Sequence, residues 1–202
     1  MKYNLYLLFG FLSLQFFLGC SNPIKSIDII NENGKKIGNY TINTKTGLKE
    51  GAFVKYSTDG KKVEEANYKS DQLDGTRKIY DENGLLYAIE NHKNGEFDGD
   101  YTAYFPNGRI KFKGKYVNNS MEGLWDYFYE TGEKKEQVNM HNNLENGPFV
   151  EFYTNGNKKA EGNYKDGDKE DGLLLMYDET GTLIKKMNCK LGICNTIWKK
   201  EN

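Results

Sequence analysis

The sequence predicts an all-β protein in which tandem β-hairpin repeats of about 24 residues form one elongated antiparallel sheet. A short phrase that begins and ends with Gly and contains an aromatic residue recurs six times along the 202 residues. The composition agrees, because Gly (22) and Tyr (15) are abundant while Pro (3) is scarce. Such a composition favours many short strands and tight turns over disorder.

The repeat is defined by glycines that keep a spacing of 24 or 25 residues. In each unit the first Gly is followed five residues later by an aromatic residue and nine residues later by a second Gly. A fixed period of this length indicates a repeat array, because each unit can bury its apolar face only against its neighbours. The first glycines of the six units are Gly51, Gly75, Gly99, Gly123, Gly147 and Gly172.

Each unit contains two candidate strands. The first ends in Asn-Gly or Asp-Gly in four units, which predicts a hairpin turn with positive φ at its central residues. The second strand alternates between a polar position and the column Tyr68, His92, Tyr116, Met140, Tyr164 and Cys189, so one face is predicted to be packed. In the first strand two apolar columns lie three residues apart, so either both faces pack or a bulge intervenes. Arg77 interrupts the first of these columns.

The chain divides into four predicted regions. Residues 1–19 form a signal segment, 20–25 a tether, 26–48 a degenerate N-terminal cap hairpin, and 49–202 an array of about six units with a partial C-terminal cap. The apolar run from Leu5 to Leu18 is short for a membrane-spanning helix. Its ending, Gly19-Cys20, resembles the lipobox of bacterial lipoproteins, which implies lipidation at Cys20. The alternatives are a plain signal peptide and an uncleaved anchor.

Cys189 and Cys194 hold repeat positions that form an apolar pair across the inter-hairpin loop in earlier units. The hypothesis is that a disulfide replaces this contact in the last unit, and export across a membrane would permit it. The alternative is two free buried thiols. The spacing is not that of a C-x-x-C redox motif.

Recognisable catalytic, metal-binding and nucleic-acid-binding motifs are missing from the sequence. The 28 basic and 29 acidic residues nearly balance, which argues against a nucleic-acid surface. His92 and His141 have no nucleophile or metal motif around them, so neither a catalytic role nor a cofactor is predicted. The acidic segment from Asp166 to Gly172 places Gly and Glu wrongly for a calcium loop.

The phrase Gly99–Tyr104 with Asn107-Gly108, and its equivalent at Gly147–Phe152, resembles the MORN-type repeat, in the variant found in the bacterial YwqK antitoxin family. The resemblance covers about residues 47 to 190. It implies an elongated antiparallel sheet without enzyme activity, and the antitoxin label implies a toxin as partner. Exposed Tyr rows on such a sheet provide a binding surface, with Tyr80, Tyr104, Tyr127 and Tyr177 as its candidate residues.

Three functions are open at this point. The first is a lipid-anchored, non-catalytic protein-binding scaffold in the bacterial cell envelope, facing the periplasm or the exterior, with a toxin as one candidate partner. The second is contact with membrane or envelope lipid, against which the near-neutral charge argues. The third is an enzyme, for which the sequence supplies no set of catalytic residues.

Overall fold

The computed structural model describes residues 23–201, and within this range it contains seventeen β-strands and no helix. No segment of this range is therefore a helix long and apolar enough to cross a membrane. The strands are β1 (Ile24–Ile30), β2 (Lys36–Asn43), β3 (Lys49–Tyr56), β4 (Lys62–Lys69), β5 (Gln72–Leu73), β6 (Gly75–Tyr80), β7 (Leu86–Lys93), β8 (Glu96–Phe97), β9 (Gly99–Tyr104), β10 (Ile110–Val117), β11 (Ser120–Phe128), β12 (Lys134–His141), β13 (Leu144–Phe152), β14 (Lys158–Tyr164), β15 (Gly172–Tyr177), β16 (Leu183–Lys190) and β17 (Ile193–Lys199).

The strands form one open sheet in which each strand pairs with its sequence neighbours, and every pairing is antiparallel. The chain continues from the short strand β5 into β6, and both of these pair with β4. It continues in the same way from β8 into β9, and both of these pair with β7. Within the described residues, β1 pairs only with β2 and β17 only with β16, so these two strands are the edges of the sheet. The predicted fold class is confirmed.

The sheet has two faces of different character. We call the packed face the one that carries the buried core, in which Trp125 and Val138 are both 0% exposed. We call the open face the opposite one, on which a row of polar and aliphatic residues crosses the strands. The core comprises Trp125, Val138, Met140, Phe149, Ala160, Leu174 and Cys189. The open-face row includes Glu65, Lys78, Ile89, Thr102, Lys113, Asp126, Gln137, Val150 and Glu161.

The two apolar columns of the first strand lie on opposite faces. Trp125 packs in the core opposite Val138, whereas Phe128, three residues later, lies near Lys113 on the open face. A register shift also occurs between Tyr127 and Phe128, because the partner strand contributes an extra residue there. Of the two alternatives left by the sequence, both therefore apply: each face carries one column, and a bulge lies at the end of the hairpin.

The two ends of the hairpins use different turns. At the Asp-Gly and Asn-Gly turns only the Gly has positive φ, as at Gly60 (+89°) and Gly108 (+81°), so the prediction of positive φ at both central residues is wrong there. These loops span five residues between strands, as from Tyr56 to Lys62. The turns between hairpins have two consecutive residues with positive φ, as at Asn118 (47°) and Asn119 (66°). This is the tight turn that Asn and Asp favour.

An acidic residue precedes the first Gly in five of the six units, and four of these residues bond the turn that ends their own unit. The carboxylate of Glu50 accepts a hydrogen bond from the backbone N–H of Ser70 at 3.0 Å, twenty residues along the chain. The same contact recurs from Asn142 to Glu122 at 2.9 Å. Asp74 and Asp171 make equivalent contacts at 3.3 and 3.2 Å. These residues therefore satisfy N–H groups in the turn at the end of their own hairpin, which explains why an acidic residue recurs beside the Gly.

A charged cluster interrupts the packed face in the second unit. Arg77 Nε donates to Glu64 Oε1 at 2.6 Å and Arg77 Nη1 donates to Glu90 Oε2 at 3.2 Å. The same Glu90 oxygen lies 2.9 Å from His92 Nε2, and His92 is only 6% exposed. The ring of His92 packs on Phe97 with centroids 4.4 Å apart. The connected cluster of buried apolar side chains around Trp125 lies in the units that follow this charged cluster, whereas Ala66 and Ala88 are buried before and within it.

Candidate functional site

The open face carries a row of half-buried aromatic rings near the hairpin turns, and we call it the aromatic row. Each ring is the last residue of a first strand, so the 24-residue period aligns the rings along the array. Positively charged side chains lie beside them: Lys62 Nζ is 5.3 Å from the centroid of Tyr80, and Lys113 Nζ is 5.9 Å from that of Phe128. The row consists of Tyr56, Tyr80, Tyr104, Phe128, Phe152 and Tyr177.

Two tyrosines of the aromatic row bind glutamates of the preceding strand. Tyr80 Oη donates to Glu65 Oε2 at 2.9 Å, and Tyr177 Oη donates to Glu161 Oε1 at 2.5 Å. Burial, followed by the bond to Glu65, raises the pKa of Tyr80. The bond to Glu161 raises the pKa of Tyr177 to about 12. Both hydroxyls are therefore protonated at neutral pH, and their hydrogen bonds join neighbouring strands of the sheet.

Tyr104 differs from these two because the preceding strand offers Ile89 where the others have Glu. Among the described residues its hydroxyl is not one of the buried polar atoms that lack a partner, so the hydroxyl is accessible to solvent. Tyr104 lines a groove of about 220 Å³, together with Leu86, Tyr87, Phe105, Pro106, Lys111 and Asp81, which we call the Tyr104 groove. Tyr87 is 52% exposed there, and Lys111 Nζ lies 5.9 Å from the Phe105 centroid.

The structure separates Tyr127 from the other three predicted contact residues. Tyr127 lies opposite Phe112 with ring centroids 5.7 Å apart, and it packs against the core. Burial raises the pKa of Tyr127, with Glu136 and Glu145 adding to the effect. Tyr80, Tyr104 and Tyr177 share the aromatic row, whereas Tyr127 belongs to the packed face.

The sequence holds one signal for the Tyr104 groove. Of the three predicted contact tyrosines in the aromatic row, Tyr104 is the one that has no Glu at the equivalent position of the preceding strand.

The remaining predicted site residues are cysteines. Cys20 lies outside the described residues. Cys189 and Cys194 face each other across β16 and β17, and their Sγ atoms are joined at 2.02 Å. Their oxidation in solution stays a prediction.

The two histidines have acidic neighbours but no nucleophile. His141 Nδ1 lies 3.0 Å from Glu122 Oε2 at the surface, and His92 is buried against Glu90. A depression of about 810 Å³ lies near the inter-hairpin turns and has both Lys and Asp in its lining, among them Lys69, Lys93 and Asp98. Over the described part of the chain, no cluster of three or more His, Cys, Asp or Glu side chains is arranged to hold a metal ion.

Comparison with known families agrees with this geometry. Four segments match the family model described as MORN repeat variant, namely residues 49–70, 73–94, 97–118 and 145–166. The units that begin at Gly123 and Gly172 are not among the matched segments, and both have Thr-Gly at the hairpin turn. Their hairpins β11–β12 and β15–β16 nevertheless pair as the others do. No curated protein matches the chain. Four segments of the chain therefore match the MORN repeat variant, within a longer series of hairpins that share their period.

Proposed function

We propose that this protein is a non-catalytic scaffold that binds a protein partner on its open face, with the Tyr104 groove as the principal contact. MORN repeats are often protein-binding or lipid-binding modules, and the match in four segments supports the proposal. The observation that carries the proposal is the Tyr104 groove, in which the half-buried ring of Tyr104 lies beside the exposed ring of Tyr87. Tyr is the residue type most suited to such contacts, since it combines a large apolar ring with a polar tip.

The size and shape of the groove favour a protein over a small-molecule substrate. Pockets for small ligands usually enclose roughly 300–1,000 Å³ and bury most of the ligand. The Tyr104 groove, at about 220 Å³, accommodates one or two side chains of a partner. The aromatic row extends the contact on both sides of the groove, and its Lys and Glu neighbours supply a polar rim.

The proposal also includes the location and the partner class. We propose that Cys20 is lipidated, which would tether the repeat array to a bacterial envelope membrane by two or more acyl chains. The partner proposed first is a protein toxin, in line with the resemblance to the antitoxin family. Anchoring is tested by fractionation: wild-type chain is expected with membranes, and the Cys20→Ala chain with soluble material.

Affinity purification tests the binding function. Residues 21–202 serve as bait for lysate and secreted material of the host species, in wild-type form and as Tyr87→Ala/Tyr104→Ala. A partner retained in stoichiometric amount by the wild type should be lost, or bound at least tenfold more weakly, by the double variant. The matched control is Leu124→Ala, which removes a side chain that is 57% exposed elsewhere on the sheet.

The possible results distinguish neutralisation of a toxin, protein binding outside the groove, and contact with membrane lipid. A retained protein that is toxic when expressed alone, and harmless when expressed with this chain, would support neutralisation of a toxin. Equal retention of the partner by the wild type and the double variant would contradict the proposal that the Tyr104 groove is the principal contact. Binding of the Cys20→Ala chain to liposomes, without any retained protein, would instead support contact with membrane lipid.

A further inference from the structure

The last strand, β17, leaves one edge of the sheet open. Within the described residues it pairs only with β16, so its outer N–H and C=O groups face away from the sheet. Three apolar side chains on it are exposed: Ile193 (74%), Ile197 (60%) and Trp198 (42%). Natural edge strands are usually protected by charges or Pro, yet the only charged residue in β17 is its last, Lys199. An edge of this kind is suited to pairing with another strand.

The opposite edge is better protected. Strand β1 carries Lys25 and Asp28 within its length. Asp28 is also held by an ion pair with Lys36 at 2.6 Å. Because pairing a further strand onto β1 would partly desolvate these charges, β17 is the edge that can be extended at lower cost.

The directions of the two edge strands decide how copies can pair. Because every pairing in the sheet is antiparallel and hairpins alternate, β1 and β17 run in the same direction. Pairing β17 of one copy with β1 of another would therefore create a parallel pair in an otherwise antiparallel sheet. Pairing β17 with itself across a two-fold axis gives an antiparallel pair, and it keeps the packed faces of both copies on the same side.

The side chains of β17 favour one register. Cys194 and Thr196 lie opposite Cys189 and Met187 of the packed face. A two-fold axis through Asn195 places Cys194 of one copy opposite Thr196 of the other, so the faces match. It also brings the Ile193 end of each strand to the end that carries Ile197 and Trp198. Lys199 of the two copies would lie ~26 Å apart at 3.3 Å per residue, whereas a parallel pair would place them side by side.

We propose that two copies of this chain form a dimer by antiparallel pairing of β17 with β17 across a two-fold axis near Asn195. The occupant of the free edge is therefore a second copy. The dimer joins two arrays into one continuous sheet and leaves the Tyr104 groove of each copy free, because that groove lies between residues 81 and 111.

Sedimentation of the full chain in detergent micelles tests the dimer. The wild type should have the protein mass of two chains, and Ile193→Lys/Ile197→Lys should dissociate at least tenfold more readily, because two apolar contacts per copy are replaced by charges. The matched control, Ile24→Lys/Ile30→Lys on the other edge, should remain dimeric. A monomeric wild type, or a dimer disrupted only by the β1 control, would overturn the proposal.

A second variant tests the register and does not depend on weakening the fold. Asn195→Cys would place two thiols opposite each other across the axis, where the Cα atoms of an antiparallel pair are about 4.5–5.5 Å apart. This distance permits a disulfide, so a covalent dimer is expected on a non-reducing gel. Asn188→Cys, on the neighbouring strand β16, should give none. Peptide mapping should identify the 195–195 link, and its absence would overturn the two-fold pairing.

Discussion

The indole ring of Trp125 lies directly over the backbone of Gly114, so that a Cβ atom at Gly114 would overlap the ring. Trp125 is completely buried, and it is the largest fully buried side chain among the described residues. Gly114 has ordinary extended backbone, since its φ is not positive, and its lack of a side chain is required only by the ring above it. The two residues therefore form a large-and-small pair across neighbouring strands.

Gly114→Ala is expected to destabilise the array by about 1–3 kcal/mol, because the added methyl must displace a fully buried indole. Gly162→Ala is the matched control. Its φ is not positive either, and an added Cβ would lie 3.1 Å from Phe149 Cε1 and 3.3 Å from Leu174 Cδ1, tight contacts that a shift of a few tenths of an ångström would relieve. Denaturant unfolding should give a clearly larger loss for Gly114→Ala, and equal losses would show that the ring can move aside.

The period, the hairpins and the alternation of the second strand follow from the sequence, because Gly and aromatic positions recur in register. Cross-strand partners do not follow in the same way, since they depend on pairings between different units. That Tyr80 bonds to Glu65, and that Ile89 pairs with Thr102 two residues before Tyr104, depends on the register between neighbouring hairpins. The position of Tyr127 on the packed face, in contrast, follows from strand alternation, because Tyr127 lies two residues after Trp125.

The Arg77 and Glu90 pair provides a second test, because other units hold apolar or small residues at both positions. Arg77→Phe alone should cost about 3 kcal/mol, since it leaves Glu90, which is 5% exposed, without its guanidinium partner. Arg77→Phe/Glu90→Ala copies the pair Phe53 and Ala66 of the first unit. The double variant should recover most of the loss in an unfolding titration. A double variant as unstable as the single one would show that the cluster is required by its surroundings.

Glu136 gives a pH dependence with a definite sign. Burial, with the charges of Glu145 and Glu151 adding to it, raises the pKa of Glu136, and Glu151 lies directly opposite it. A carboxyl whose folded pKa is raised destabilises the fold above that pKa, and the penalty is lost as the pH falls below its unfolded value. Glu136→Gln should therefore add about 0.2–1 kcal/mol at pH 7, as expected for relief of facing like charges.

The gain from Glu136→Gln should disappear when unfolding is measured near pH 3, about one unit below the ordinary glutamate pKa of about 4.3. Glu96→Gln, at an exposed position, is the control and should change stability little at either pH. If the gain of Glu136→Gln were the same at both pH values, removal of a charge penalty could not be its cause.

The disulfide at the C-terminal edge is the last prediction. Labelling of the unreduced protein should leave Cys189 and Cys194 unmodified, and labelling after reduction and denaturation should modify both. Because the bond closes a loop with a sequence separation of only 5, its loss should cost about 2 kcal/mol at most. The loss of stability should be local. After reduction, amide exchange should accelerate in β17 and hardly change in β11 and β12, which contain Trp125 and Val138. Cys189→Ser/Cys194→Ser should behave like the reduced protein, whereas free thiols in the native unreduced chain would contradict the bond.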